Sequence, residues 1–142
     1  MEDLYRDNLL DHYENPRHHG TIEGADVSHE EDNPLCGDRI RIDVKLTEDH
    51  TGIASIAFSG DGCIISQAAA SMLMEAVADK SLMDVQKLER QDVLDMIGVP
   101  LTAARVKCAL LGLKVLKAGI YGYRIAHEHT ESTGEDEHLS GQ

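Results

Sequence analysis

Between Asp38 and Leu46 the chain alternates: Ile40, Ile42, Val44 and Leu46 are apolar, while Arg39, Arg41, Asp43 and Lys45 are charged. A period of two marks a strand with one buried face and one wet face. The turn-forming stretch TEDHTG follows, and then IASIAFSG, which reads as an antiparallel partner. The pair predicts a hairpin or meander. Upstream, Leu4, Tyr5, Leu9, Leu10 and Tyr13 recur at helical spacing, and Pro16 after Asn15 ends that helix. RHHGTIEGADVSHEEDNP, between the helix and the strand, reads as a long polar connection.

Just past Gly62 the pattern turns helical. GDGCIISQAAASMLMEAVADK places Cys63 at or near the first turn of a helix rich in small residues. SLMDVQKLERQDVLDMIG is a second helical stretch, and TAARVKCALLGLKVLKAGIYG a third, with Ala104, Cys108, Leu111 and Val115 along one face. Strands early and helices late predict an α+β fold, a small antiparallel β-sheet packed on one side by helices. The tail beyond Arg124 is polar, acidic and aperiodic. The expected organisation is one domain over residues 1–124 and a disordered tail over 125–142.

Composition narrows the partners. A chain of 142 residues with 42 % apolar residues can build one core but not two. Thirteen basic against 26 acidic residues give a formal charge of −13, which repels nucleic acid and anionic membrane surfaces. The first residues are acidic and amphipathic and do not read as a signal peptide, and no apolar run is long enough to span a bilayer. The expected compartment is the cytoplasm, where three scattered cysteines remain thiols. That leaves a metal site, a reactive thiol or core packing.

Each cysteine has its own local setting. Cys36 and Asp38 fall at the mouth of the first strand, where residues two apart point to one side, and Gly37 between them removes an obstructing side chain. From Cys-Gly-Asp alone, the better reading is a turn in which Asp38 caps local N–H groups. Cys63, between Gly62 and a helix, sits where the helix dipole and free N–H donors favour a thiolate. It serves equally well as a small residue at a tight strand-to-helix turn. Cys108 alone reads as core packing, although Arg105 and Lys107 flank it. The three lie too far apart for a CxxC knuckle, so any shared site must be assembled by the fold. The eight histidines do not form a ligand set: His18 and His19 are in a polar loop, His29 and His50 in turns, His127, His129 and His138 in the tail, and His12 on the first helix, at the surface or facing a partner.

Taken together, these stretches resemble the iron–sulfur cluster assembly scaffolds, the IscU, SufU and NifU N-terminal family. LYRDNLLDHYENPRHHG is similar to the family's N-terminal segment, NPLCGDRIRI to its first-cysteine strand, FSGDGCIISQAAASML to its second-cysteine turn and helix, and ARVKCALLGLKVL to its third-cysteine helix. Four motifs in order over roughly Leu4 to Lys117 are far more specific than any one. The resemblance implies that Cys36, Asp38, Cys63 and Cys108 hold a [2Fe–2S] cluster or iron, or Zn²⁺ in the resting form, with Gly37, Gly62, Arg105 and Lys107 in support. It implies sulfur delivered by a cysteine desulfurase of the IscS or SufS type and clusters passed to apo-proteins. Cys36 is the expected persulfide acceptor in the SufU-like case, and Cys108 in the IscU-like case.

Two features set this chain apart within that family. Lys107 stands where IscU proteins have a histidine, as in the SufU branch, yet the stretch from Cys63 to Cys108 is too short for the SufU insertion. Leu101-Thr102-Ala103-Ala104-Arg105 replaces the Leu-Pro-Pro-Val-Lys segment, so the resemblance does not extend to docking a dedicated Hsp70-type chaperone. The leading expectation is a non-enzymatic scaffold that accepts sulfur, and the alternative is a zinc-dependent sulfurtransferase that relays persulfide without holding a cluster. A cysteine-nucleophile hydrolase needs a base beside a thiol, and no histidine is placed for it. An exposed site with the three sulfurs near one point is expected of either metal reading.

Overall fold

The structure is a computed structural model that describes the backbone of residues 2–34 and 37–140, and side chains over 4–34 and 37–127. The chain runs α1 (Glu2–Glu14), β1 (Val27–Asn33), β2 (Asp38–Leu46), β3 (Ile53–Asp61), α2 (Ile64–Val77), α3 (Leu82–Gln86), α4 (Arg90–Ile97) and α5 (Ala103–Ser140). The strands form an antiparallel meander in the order β1-β2-β3. Helices α2 and α5 pack on one face of it, α1 packs on α2, and α4 packs on α2 and α5. This is the α+β layout that the alternation of β2 implied. Ile40, Ile42 and Val44 are buried on the helix-covered face with Phe58 and Ile56 of β3 opposite them. Among the described residues no helix is long and apolar enough to cross a membrane.

Two local expectations are corrected. VSHEEDN, read as part of a polar connection, is β1. Its partner decides this: Val27 to Asn33 pair in register with Val44 back to Asp38, and pairing to a strong central strand overrides the weak β-propensity of acidic residues. The second helical stretch is two helices, because Lys87 and Leu88 close α3 with N–H bonds to Asp84 and Val85, and Glu89 and Asp92 form a capping box that starts α4. Helix α5 runs as backbone helix from Ala103 to Ser140. Once nucleated on a packed face, a helix propagates through residues with no apolar period.

The connection between α1 and β1 crosses the other face of the sheet. The Phe58 N–H donates to the His18 carbonyl (2.9 Å) and the Gly20 N–H to the Phe58 carbonyl (2.7 Å), so this segment also covers the free edge of β3. The Ile22 N–H donates to Asp43 Oδ2 at 3.0 Å, and Ser28 Oγ–H and Arg41 Nε–H donate to Asp43 Oδ1 at 2.7 and 3.0 Å. Burial pushes the Asp43 carboxyl up, but these donors together hold it below the usual carboxylate range.

His12 is also corrected: it is buried, not on the surface. Ser71 Oγ accepts the Arg17 N–H at 2.8 Å and is hydrogen-bonded to His12 Nδ1, 2.7 Å away. Nε2 faces Glu75, 3.6 Å away. Burial, then the nearby Arg17 charge, lowers the His12 pKa. The bond fixes α1 against α2.

Candidate metal centre

Three chain segments meet at one end of the sheet. Asp38 opens β2 in the same alternate row as Ile40 and Ile42, and like them it is fully buried. Cys63 is the N-cap residue of α2, in extended conformation, with its Sγ accepting the Ser66 N–H at 3.5 Å. Cys108 lies in the second turn of α5, 2 % exposed, and its thiol points to the Ala104 carbonyl 3.6 Å away. One ligand atom from each of Asp38, Cys63 and Cys108 lies within 4.8 Å of the others.

The turn between β3 and α2 makes this meeting feasible. The Cys63 N–H donates to Asp38 Oδ1 at 2.8 Å, and the Cys63 thiol lies 3.9 Å from Oδ2. Gly62 stands between them with φ +156°, and a Cβ there would collide with Asp38 Oδ1 and Ser66 Oγ. Only glycine lets the chain pass so close to the carboxylate in that conformation. Gly60, with φ +150°, passes equally close to the Arg39 carbonyl. Ser66 completes the turn by donating its hydroxyl to the Cys63 carbonyl at 3.1 Å. It sits three residues after an N-cap, where an α2 backbone donor meets the cap side chain, and that spacing is visible in Cys-Ile-Ile-Ser although the sequence reading did not use it.

The donor set suits a metal. With bonds of about 2.0–2.3 Å in a tetrahedral zinc site, ligand atoms stand roughly 3.3–3.8 Å apart, so atoms already within reach of one another need only small shifts. Two soft thiols and one harder carboxylate are ligands for zinc or for iron–sulfur cores. The other predicted residues are placed as follows. Gly37, at φ +73°, closes the β1–β2 turn through its N–H bond to the Asn33 carbonyl (2.8 Å). Arg105 lines the same groove as Cys63. Lys107 is exposed and lines a separate cleft with Asn33 and Pro34. Cys36 lies outside the described residues.

Access is uneven, which modifies the expectation of an exposed site. Asp38 and Cys108 are buried, whereas Cys63 is half-buried at the foot of a groove of about 670 Å³. Leu10 and Tyr13 of α1, Ile64 of α2 and Leu101 before α5 line its walls, and the first three remain 38–42 % exposed. The α1 periodicity was legible, but its role as one wall of this groove depends on packing across α2.

The chain matches the NifU-like N terminal domain family over residues 4–130. It is 36 % identical over 137 residues to the zinc-dependent sulfurtransferase SufU of Bacillus subtilis (strain 168), covering 84 % of this chain and 91 % of the relative. It is also 36 % identical over 137 residues to the iron–sulfur cluster assembly scaffold protein IscU of Streptococcus pyogenes serotype M1, covering 84 % of each. A crystal structure of a candidate SUF-system iron–sulfur cluster assembly scaffold from Fervidobacterium islandicum AW-1 is similar at a TM-score of 0.68 and 25 % identity, covering 80 % of this chain and 94 % of the other.

Proposed function

We propose, from the premise that this chain belongs to the NifU-like N-terminal domain family, that it is an iron–sulfur cluster assembly scaffold. It accepts sulfur from a cysteine desulfurase, builds a labile [2Fe–2S] cluster on Cys36, Asp38, Cys63 and Cys108, and transfers it to apo-proteins. The observation that carries this reading is the convergence of Asp38, Cys63 and Cys108, residues distant in sequence, at one point beside a groove. Cys36, two residues before Asp38, supplies the remaining thiolate. Asp38, as a harder donor than thiolate, leaves the cargo easier to release.

The first chemical step is sulfur transfer. A scaffold thiolate attacks the outer sulfur of the desulfurase persulfide, the donor's S–S bond breaks, and the donor cysteine leaves as thiolate. The outer sulfur is then a persulfide on this chain. Turning two such sulfurs into sulfide takes four electrons: a thiol- or ferredoxin-class reductant supplies two, and two ferrous ions supply one each as they become the ferric ions of a dipositive [2Fe–2S] core. Cys36 is the first-choice acceptor in a SufU-like protein and Cys108 in an IscU-like one; the burial of Cys108 means that it accepts sulfur only after the site opens.

A second reading has its own support in the likeness to B. subtilis SufU and in Lys107. In it the four ligands hold Zn²⁺ and the chain relays persulfide without holding a cluster. Anaerobic reconstitution with a desulfurase, cysteine and ferrous iron separates the two, with zinc content measured before and after. A [2Fe–2S] absorption and Mössbauer signature that moves to an apo-ferredoxin is the expected result. Retained zinc, no cluster and a stimulated desulfurase turnover would assign the chain to the relay.

A further inference from the structure

The geometry points to Arg105 and Lys107 as a pair of counter-charges that set how tightly the loaded centre keeps its cargo. This rests on the Asp38, Cys63 and Cys108 centre being the holding site. Three thiolates and a carboxylate around a dipositive zinc ion or a dipositive [2Fe–2S] core leave a net of roughly two negative charges, the same for either cargo. Asp38 and Cys108 are 0 % and 2 % exposed, so water screens that excess poorly, and it develops in a chain already at −13.

Two cations stand just before Cys108 on α5. Arg105 precedes it by three residues, which places the two as neighbours on one helix face, and Arg105 shares the groove of Cys63. Lys107 precedes it directly and reaches toward Asn33 and Pro34, at the end of β1 where the chain enters the segment carrying Cys36. Most other cations around the sheet are matched: Arg17 to Asp11 at 2.6 Å, Arg39 to Asp61 at 2.9 Å, Arg41 to Asp43 at 3.0 Å and Lys114 to Glu31 at 3.2 Å. Among the described residues neither the Arg105 nor the Lys107 side chain has a carboxylate within ion-pair distance, although acidic residues outnumber basic ones two to one. Their complement is the anionic loaded centre, which Arg105 meets through the groove of Cys63 and Lys107 through its place directly before Cys108. Both are exposed, so they stabilise it without taking a coordination position.

The test is zinc affinity of the full chain, measured by competition with a chromophoric chelator using zinc alone as the probe. Arg105→Gln and Lys107→Gln are each expected to weaken binding by about three- to tenfold at low salt, with the double variant weaker still. Arg105→Lys and Lys107→Arg keep the charge and are expected to keep the affinity. The differences shrink near 0.5 M salt, roughly where the Debye length falls toward a few ångströms. The thermal midpoint of the metal-free chain is expected not to move, since neither side chain is buried. A double variant that binds zinc as tightly as wild type at low salt, or a charge-keeping variant that loses as much as the glutamine one, would overturn the counter-charge role alone. A wild-type chain that holds neither zinc nor cluster would overturn the centre itself, and this inference with it.

Discussion

Asp38 and Asp43 sit at the mouth and in the middle of the same strand, 0 % and 1 % exposed, and do opposite things. Asp43 is enclosed by donors: a backbone N–H from Ile22, the Ser28 hydroxyl and the Arg41 guanidinium occupy both of its oxygens. Its charge is balanced and its position fixed, so it serves to tie the α1–β1 connection to the sheet. Among the described residues Asp38 accepts one N–H, from Cys63, and its second oxygen faces a thiol at 3.9 Å. Equal burial therefore says little about role. What separates a carboxylate enclosed by donors from one left facing a thiol is the identity of the groups that meet its oxygens.

The comparison breaks most visibly at Asp43. Asp43→Ala leaves a guanidinium, a hydroxyl and an N–H without their acceptor, and is expected to cost about 2–4 kcal/mol in urea unfolding while the folded fraction binds zinc as wild type. The carboxyl is held below its ordinary value, so its stabilisation is complete above the unfolded carboxyl's pKa near 4 and is lost as the pH falls below it. The variant should accordingly show a shallower acid limb. Wild-type stability in Asp43→Ala would remove the anchoring role.

A smaller stability effect with a larger binding effect is expected at the other end of the strand. Asp38→Ala frees one N–H, costing about 1 kcal/mol in the metal-free chain, but should weaken zinc retention by about tenfold or more in chelator competition. Outright loss of the fold would instead make Asp38 a cap and dissolve the contrast with Asp43.

His12 sharpens the comparison, because it is a buried titratable group whose neutral form the fold favours. Its lowered pKa means that its contribution is complete above its ordinary value near 6.5 and declines as the pH falls through that value toward the folded one. Stability measured by urea titration should therefore fall as the pH drops below about 6.5, and His12→Asn should flatten that slope. An unchanged slope in the variant would assign the acid sensitivity elsewhere.

Much of the frame was legible in the sequence, for reasons that differ by residue. The β2 alternation places Asp38 in the same row as Ile40 and Ile42, so its inward direction could be read directly. Cys63 after Gly62, at the switch to helical period, could be read as a helix start, and it is the N-cap of α2. VSHEEDN gave no local sign of a strand because its partner, not its composition, makes it one. His12 looked polar and therefore exposed, since nothing near it in sequence announces Ser71.

The sequence by itself determined which chemical groups are available and how each is locally framed: a cysteine at a helix cap, an aspartate on the inward row of a strand, a cysteine on an apolar helix face. These follow from spacing over a few residues, where backbone geometry fixes direction. Only the tertiary structure decided that Asp38, Cys63 and Cys108 share one point, that Asp43 is sealed although it lies in the charged row, and that α1 walls the groove beside Cys63. Those facts depend on packing between segments far apart in the chain, and the periodicity of each segment fixes which face is buried but not what it is buried against.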